Sequence, residues 1–181
     1  MKQIRIHGRG GQGVVTAAEL IAIAAFSGGQ YAQAFPHFGV ERSGAPIKSY
    51  ARISNEPILT REQIYEPDII IIQDHTLLDE KEIFIGAKPN TLIIINAPKN
   101  FKLNKKLPYK NVHFTPATEI ALKIFKKNIV NTVILGAFIK YFKLIKLEDL
   151  KKAIASKFKE KGKNVIAQNI KAIELAYQEK I

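Results

Sequence analysis

The hexapeptide GRGGQG at residues 8–13 stands between an alternating apolar stretch and a long apolar one. A Gly-x-Gly-x-x-Gly turn between a strand and a helix lets main-chain N–H groups approach an anion at the positive end of the helix. We therefore predict a phosphate-binding turn, and a tight turn without a ligand is the alternative. Its residues are Gly8, Arg9, Gly10, Gly11, Gln12 and Gly13. Arg9 and Gln12 can add side-chain donors.

Two common phosphorylated ligands do not fit the residues that follow this turn. An NAD site needs an acid at the end of the next strand, where Phe35 and Pro36 stand. A Walker-type ATP site needs Lys and then Ser or Thr after the last glycine, where Val14 and Val15 stand. A different phosphorylated ligand is therefore expected.

A second glycine-bearing loop, HFGVERSGAP, follows the second predicted strand and is expected to lie beside the first. The guanidinium of Arg42 can bind two phosphate oxygens at once, and a surface charge is the alternative. Ser43 and the N–H of Gly44 add further donors. Glu41 either orients Arg42 or is solvated.

The apolar pattern predicts the elements that position both loops. QIRIH, QYAQAF and IKSYARIS alternate and predict strands, and PILT is expected to pair back as a hairpin. PDIIIIQD and NTLIIINAP predict strands buried on both faces, and NVHFTP predicts a weaker one. Helices are predicted over VVTAAELIAIAAFS, over HTLLDEKEIF and throughout the last third. The chain is therefore expected to be a single α/β domain over residues 1–181, with three α/β/α layers, a mixed and largely parallel sheet, and a helical C-terminal third.

The composition excludes several classes of site. The 181 residues include no cysteine, so this chain has no disulfide, no thiolate metal site and no iron–sulfur cluster of its own. Its start lacks the apolar core of a signal peptide, and its apolar runs are too short to span a bilayer. We expect a cytoplasmic protein without a membrane partner.

The positive charge is concentrated in the second half of the chain. The net charge is +12; residues 1–98 carry 9 basic and 10 acidic side chains, whereas residues 99–181 carry 19 and 6. A basic half can attract a polyanion, and a lysine-rich solvated face is the simpler interpretation. Because no arginine follows Arg61 and few aromatic residues stand among the lysines, we expect no nucleic-acid partner.

The chain resembles the gamma subunits of the pyruvate:ferredoxin oxidoreductases, within the 2-oxoacid:ferredoxin oxidoreductase family. The resemblance rests on GRGGQGVVTAAELIA, YAQAFPHFGVERSGAPIKSYARI, PDIIIIQD, TLIIIN and NTVILGA, and it covers nearly the whole chain. The loop form ERSGAP is similar to that of the pyruvate type. Enzymes for branched-chain or aryl 2-oxoacids are the second possibility.

The resemblance implies one subunit of an enzyme, inactive when isolated. The implied reaction converts pyruvate, coenzyme A and two oxidised ferredoxins reversibly to acetyl-CoA, CO2 and two reduced ferredoxins. In this family the alpha and beta subunits hold thiamine diphosphate with Mg, and the beta and delta subunits carry [4Fe-4S] clusters. Alpha, beta and delta subunits are thus the expected partners, with ferredoxin as the acceptor of the complex.

The resemblance also implies that both loops of this chain contribute to a shared coenzyme A site. Residues 8–13 would hold the diphosphate, and residues 41–44 would lie near the phosphates. Asn131 in NTVILGA and Asn169 in AQNIKAI match recurring family positions that can reach the adenosine or pantetheine part. A helix-capping Asn131 and a polar Asn169 on a helix face are the alternatives. No residue is expected to act as a general base or nucleophile.

A function of another class also fits the composition. A non-enzymatic module that binds nucleotides or polyanions would use the basic half of the chain. It would bind polyanions as an isolated chain, with a steep dependence on salt. The enzyme-subunit interpretations predict instead that partner subunits with thiamine diphosphate and clusters co-purify with the chain.

Overall fold

The computed structural model describes residues 1–37, 43–103 and 106–179, which form six strands and five α-helices. The strands are β1 (Lys2–Arg9), β2 (Tyr31–Pro36), β3 (Pro46–Ser54), β4 (Ile69–Ile72), β5 (Leu92–Asn96) and β6 (Asn111–Thr115). The helices are α1 (Val14–Ser27), α2 (Ala117–Phe125), α3 (Val133–Tyr141), α4 (Leu147–Lys157) and α5 (Lys163–Gln178). No helix in these ranges combines the length and the apolar character needed to cross a membrane.

The six strands form one sheet in the order β2-β3-β1-β4-β5-β6. On one side of β1 the strands β4, β5 and β6 all run parallel to it. On the other side β3 pairs antiparallel with both β1 and β2. The sheet is therefore mixed and largely parallel, which confirms the prediction from the sequence.

The five helices share one hydrophobic cluster on one face of the sheet. The strand β4 is buried on both of its faces, as its continuous apolar run predicts. Ile69 and Ile71 face the helices, whereas Ile70 and Ile72 belong to a second cluster on the opposite face. That opposite layer consists of the connections that leave β4 and β5, including a one-turn 3-10 helix at His75–Leu77.

The direction of winding reverses between β1 and β4. The connection from β1 to β2 crosses the helix face toward one edge, and the connections from β4 and β5 cross the other face toward the opposite edge. Right-handed crossovers require this change of face when the winding reverses. Ligands of such sheets bind at the carboxyl ends of the strands at this switch point. Residues 8–13 lie there, at the end of β1.

Two local predictions are wrong. Residues 57–60, predicted as a hairpin strand, form no strand. The helix predicted over residues 75–84 is reduced to the turn at His75–Leu77. The backbone there forms i→i+3 turns, such as Leu78 N–H to the His75 carbonyl at 3.1 Å and Glu80 N–H to the Leu77 carbonyl at 3.0 Å. Further along, the carbonyls of Ile83 and Ile85 accept from the buried guanidinium of Arg5 at 2.9 and 2.7 Å.

The contact between α3 and α5 depends on a residue without a side chain. A β-carbon on Gly136 would clash with the carbonyl oxygen of Ile173 and lie 2.9 Å from the β-carbon of Ala176. The backbone of one helix therefore lies directly against the other. Since a carbonyl oxygen in a helix cannot move alone, any larger residue at position 136 forces the two helices apart.

We predict that Gly136→Ala lowers the free energy of unfolding by about 1–3 kcal/mol through this overpacking. Chemical denaturation followed by circular dichroism measures the loss. Gly28→Ala is the control, because its β-carbon would meet a movable carboxylate of Asp149 at 3.3 Å and the backbone there has a negative φ. Equal losses in both variants would contradict the assignment of the contact.

Candidate functional site

The residues between β1 and α1 form a tight turn, as the sequence predicts. The N–H of Gln12 donates to the carbonyl of Arg9 at 3.0 Å and closes the turn. Gly11 and Gly13 have φ values of 92° and 71°, in the left-handed region that residues with side chains rarely adopt. The glycines at these two positions are therefore required by the backbone itself.

The start of α1 is not capped by a side chain. Gly13 occupies the N-cap position, no side-chain hydrogen bond caps the helix, and the first turn contains no acid. The first N–H groups of a helix lack partners within the helix, and the helix dipole places about half a positive charge there. This end of α1 is thus suited to an anion.

Two glycines bring this helix end close to its neighbours. A β-carbon on Gly8 would lie 2.6 Å from Cγ2 of Val14, and one on Gly13 would clash with the side-chain amide of Asn131. Side chains at either position would therefore push α1 away from β1 or from the segment before α3. Close approach, in addition to backbone angle, explains the pattern of glycines.

The side chains of Arg9 and Gln12 are bonded within the protein. Arg9 donates from Nε to Asp74 Oδ2 at 3.2 Å, from Nη1 to the Gly44 carbonyl at 3.2 Å, and from Nη2 to Thr76 Oγ1 at 2.7 Å. Gln12 donates to the same Asp74 oxygen at 3.2 Å and accepts from the Arg9 N–H at 2.8 Å. These side chains tie the turn to two other loops, and in the described part of the chain the N–H groups of Gly11 and Gly13 have no hydrogen-bond partner.

The second glycine-bearing loop meets the first, as the sequence predicts, over the part that is described. The N–H of Gly44 donates to the carbonyl of Gly10 at 3.1 Å, and the N–H of Gly10 donates to the carbonyl of Ala45 at 2.9 Å. Ser43 immediately precedes this contact. Glu41 and Arg42 lie outside the described residues.

The two asparagines predicted at the site differ in their surroundings. Asn131 is buried, packs against Gly13 and lies just before α3, whose N-cap is Thr132. Asn169 is also buried, but its amide donates to the carbonyl of Val165 within α5 at 2.8 Å. Among the described residues Asn131 thus adjoins the turn, whereas the amide of Asn169 bonds to its own helix.

Asp74 organises the turn, and the sequence analysis did not single it out. Burial raises the pKa of its carboxyl, but hydrogen bonds from Thr76 and Gln12 and the charge of Arg9 outweigh this, so that the pKa is lowered overall. The carboxylate therefore stays charged and fully partnered. An acid two residues after a strand buried on both faces was the available signal.

Polar residues also end the neighbouring strands at this edge of the sheet. Asn96, the last residue of β5, accepts from the Thr118 N–H at 3.1 Å and thereby caps α2. Gln73 after β4 and Thr115 at the end of β6 are buried, and their side-chain polar atoms have no hydrogen-bond partner in the described part of the chain. Such an unpaired buried group costs about 1–3 kcal/mol of stability.

Two histidines at this end of the sheet, His7 and His37, lie within hydrogen-bond distance of other side chains of the protein. His7 accepts from Arg5 Nε at 3.0 Å, and burial together with the charges of Arg5 and Lys48 lowers its pKa to about 3. His37 lies 3.1 Å from the hydroxyl of Tyr50. Within residues 1–37, 43–103 and 106–179, no cluster of three or more His, Cys, Asp or Glu side chains is arranged to hold a metal ion.

A cavity of about 400 Å³ opens beside the turn at Thr76. Thr76 also accepts the hydrogen bond from Arg9, so the cavity and the turn are adjacent. Its wall combines the ring of Phe101 and the side chain of Lys102. Its volume lies in the range of small-molecule sites, which are about 300–1,000 Å³.

Comparison with known proteins identifies relatives along the whole chain. Residues 3–179 match the family model of pyruvate ferredoxin/flavodoxin oxidoreductase. The chain is 44% identical over 183 residues to the pyruvate/ketoisovalerate oxidoreductases common subunit gamma of Pyrococcus furiosus, covering 98% of this chain and 96% of the relative.

Two solved structures share the fold. Pyruvate oxidoreductase subunit PORC from Thermotoga maritima superimposes with a TM-score of 0.84 at 34% identity, covering 98% of this chain and 96% of that one. The second is the 2-oxoglutarate:ferredoxin oxidoreductase from Magnetococcus marinus, which was solved with 2-oxoglutarate, coenzyme A and succinyl-CoA bound. It superimposes with a TM-score of 0.77 at 25% identity. That match covers 97% of this chain but 30% of the longer one.

We predict that Asp74→Asn lowers the melting temperature in a pH-dependent way. Because the folded pKa of Asp74 lies below its ordinary value of 3.8, the carboxylate stabilises the fold above that pH. This contribution is lost as the pH falls through the folded pKa. The difference from wild type should be full well above pH 3.8 and shrink toward zero only as the pH falls through the lowered folded pKa.

Thermal unfolding followed across this pH range measures the effect. Asp79→Asn, which changes an exposed acid of the same connection, controls for the loss of one negative charge. A wild-type advantage over Asp74→Asn that stayed constant down to the lowest pH would show that the carboxylate does not hold the turn.

Proposed function

Because the chain belongs to the pyruvate ferredoxin/flavodoxin oxidoreductase family, we propose that it is the gamma subunit of a pyruvate:ferredoxin oxidoreductase and positions coenzyme A. The uncapped start of α1, with its two left-handed glycines, is the observation that carries the proposal. The assembled enzyme would convert pyruvate and coenzyme A to acetyl-CoA and CO2, reversibly, and pass the electrons to ferredoxin.

The proposed role of the turn follows from its hydrogen bonds. Because Arg9 and Gln12 are held by Asp74, the turn presents main-chain N–H groups to a ligand at the positive end of α1. A diphosphate suits this arrangement, since its oxygens accept several N–H groups at once. Coenzyme A contains such a diphosphate, and the M. marinus relative was solved with coenzyme A bound.

The rest of a coenzyme also has space next to the turn. The cavity beside Thr76 offers an aromatic ring at Phe101 and a positive charge at Lys102. An aromatic ring can stack on a base, and a lysine can bind a further phosphate. Arg42, which the family resemblance places near the phosphates, would add a bidentate contact from the second loop.

The proposed subunit positions its ligand and performs no acid–base step. Among the described residues, Asp74 is an acid bonded to the turn, and its lowered pKa and hydrogen bonds to Thr76 and Gln12 make it a poor proton acceptor. His7 is buried and bonded to Arg5. The contribution of this chain would therefore be proximity, by holding the thiol end of the coenzyme toward a reacting group in another subunit.

Partner subunits would supply the remaining chemistry. The chain has no cysteine, so [4Fe-4S] clusters require thiolates from elsewhere. We propose alpha, beta and delta subunits as partners, with thiamine diphosphate and Mg in alpha and beta and with clusters in beta and delta. Thiamine diphosphate supplies the decarboxylation chemistry, and the clusters carry electrons one at a time to ferredoxin.

The choice of oxoacid is proposed to reside in those partners. The P. furiosus relative is named as a subunit common to pyruvate and ketoisovalerate oxidoreductases. One gamma-type chain can thus serve two oxoacids in that organism, which is consistent with a role toward the shared coenzyme. A branched-chain oxoacid therefore remains the second candidate substrate for this protein.

We predict that the native complex reduces ferredoxin in a reaction that requires both an oxoacid and coenzyme A. A panel of pyruvate, branched-chain and aryl oxoacids distinguishes the candidates, and we expect the highest kcat/KM with pyruvate. A purified chain without partner subunits that bound polyanions with a steep salt dependence would favour the non-enzymatic module instead.

We predict that Gly11→Ala in the assembled enzyme raises the KM for coenzyme A about tenfold and leaves the KM for the oxoacid unchanged. A side chain at φ 92° strains the turn by about 1–2 kcal/mol and stands where the diphosphate is proposed to lie. Steady-state kinetics with each substrate varied in turn measures both constants.

Gly29→Ala is a matched control for this change. Gly29 has a φ of 87°, lies at the far end of α1 and, like Gly11, has open space around its missing β-carbon. The two variants should lose similar stability, but only the one in the turn should lose affinity for coenzyme A. Equal KM values for coenzyme A in both variants would place the diphosphate elsewhere.

A further inference from the structure

Gln73 is a buried polar residue whose side chain takes no part in the hydrogen bonds of the turn. It follows β4 directly and is only 1% exposed. Its N–H donates to the His7 carbonyl at 2.8 Å, and its carbonyl accepts from Asn96 Nδ2 at 2.9 Å, so its backbone is fixed to β1 and β5. Its side-chain Oε1 and Nε2, by contrast, have no partner among the described residues.

This amide lies at the base of the glycine turn. A β-carbon on Gly8 would lie 3.1 Å from both Gln73 Oε1 and Gln12 Oε1, and 2.6 Å from Val14 Cγ2. These three side chains therefore converge at the end of β1, under the first residue of α1. The Gln73 amide is therefore buried beside the end of β1, next to the side chains of Gln12 and Val14.

One peptide unit of the turn also lacks hydrogen-bond partners. The carbonyl of Gln12 and the N–H of Gly13 form no hydrogen bond within the described part of the chain, whereas every other peptide unit from Arg9 to Val14 has at least one bonded group. A trans peptide points its N–H and its carbonyl in opposite directions. If the Gly13 N–H turns toward an anion, the Gln12 carbonyl turns inward and needs a buried donor.

We propose that Gln73 is a positioning residue whose side-chain Nε2 bonds to the Gln12 carbonyl when a diphosphate binds the turn. The hydrogen bond fixes the Gln12–Gly13 peptide with its N–H toward the phosphate. This inference rests on the proposed function and adds to it a residue that reaches the ligand only through the main chain.

The identity of the residue at position 73 supports this role. An apolar side chain of similar volume would fill the same buried space without an unpaired amide, so a glutamine there lowers the stability of the unliganded fold. Groups kept at such a cost commonly serve function. Gly13, with a φ of 71°, tolerates a rotation of the Gln12–Gly13 peptide, because that rotation changes ψ of Gln12 and φ of Gly13.

The test uses Gln73→Leu and Gln73→Met in the assembled enzyme. Both remove the donor and keep the volume, so we expect an unchanged or higher melting temperature without coenzyme A, by up to about 2–4 °C. We also expect the KM for coenzyme A to rise about three- to tenfold, with the KM for the oxoacid unchanged. The increase in melting temperature on adding coenzyme A should shrink in parallel.

Thr115→Val is the matched control, because it removes a second buried polar side chain that has no partner among the described residues, three strands away from β1. It should raise stability and leave the KM for coenzyme A unchanged.

The inference is overturned if the Gln73 variants keep the wild-type KM for coenzyme A while Gly11→Ala raises it. It is also overturned if they lower stability and raise both KM values together, which is the result of a purely structural role. If Gly11→Ala and the Gln73 variants all behave as wild type, the proposed function itself fails.

Discussion

The start of α1 can lie against the end of β1 only because glycines stand at their contacts. Any side chain at Gly8 would meet Val14, and any at Gly13 would meet Asn131. This close approach places the positive end of the helix at the switch point of the sheet, where open α/β sheets bind ligands. That one contact brings the uncapped helix end together with the second loop and the ends of the strands.

The charges around the turn follow from the same constraint. Asp74 accepts hydrogen bonds from Arg9 and Gln12. These two side chains could otherwise donate to a ligand, and they are bonded to Asp74 instead. The turn is thereby anchored by Asp74, and in the proposed function its main-chain donors would bind a diphosphate without supplying an acid or a base. A subunit built this way can place a coenzyme for chemistry that occurs in another chain.

The sequence predicted those features that depend on short-range patterns. The glycine turn, the strand buried on both faces at Ile69–Ile72 and the helical C-terminal third all carry such patterns, and all are present. The sequence did not reveal the roles of Asp74 and Gln73, because these depend on β4 lying next to β1, a pairing of distant residues. The segment of the failed helix prediction also makes a contact with a distant residue, since the carbonyls of Ile83 and Ile85 accept from the guanidinium of Arg5.

The most direct measurement is a structure of the assembled enzyme with coenzyme A bound, at a resolution that shows individual phosphates. The account predicts the diphosphate within about 3 Å of main-chain N–H groups of residues 8–13, at the start of α1. It also predicts that the thiol end points out of this chain toward a neighbouring subunit. Coenzyme A bound with its diphosphate in another subunit, and with this turn empty, would contradict the account.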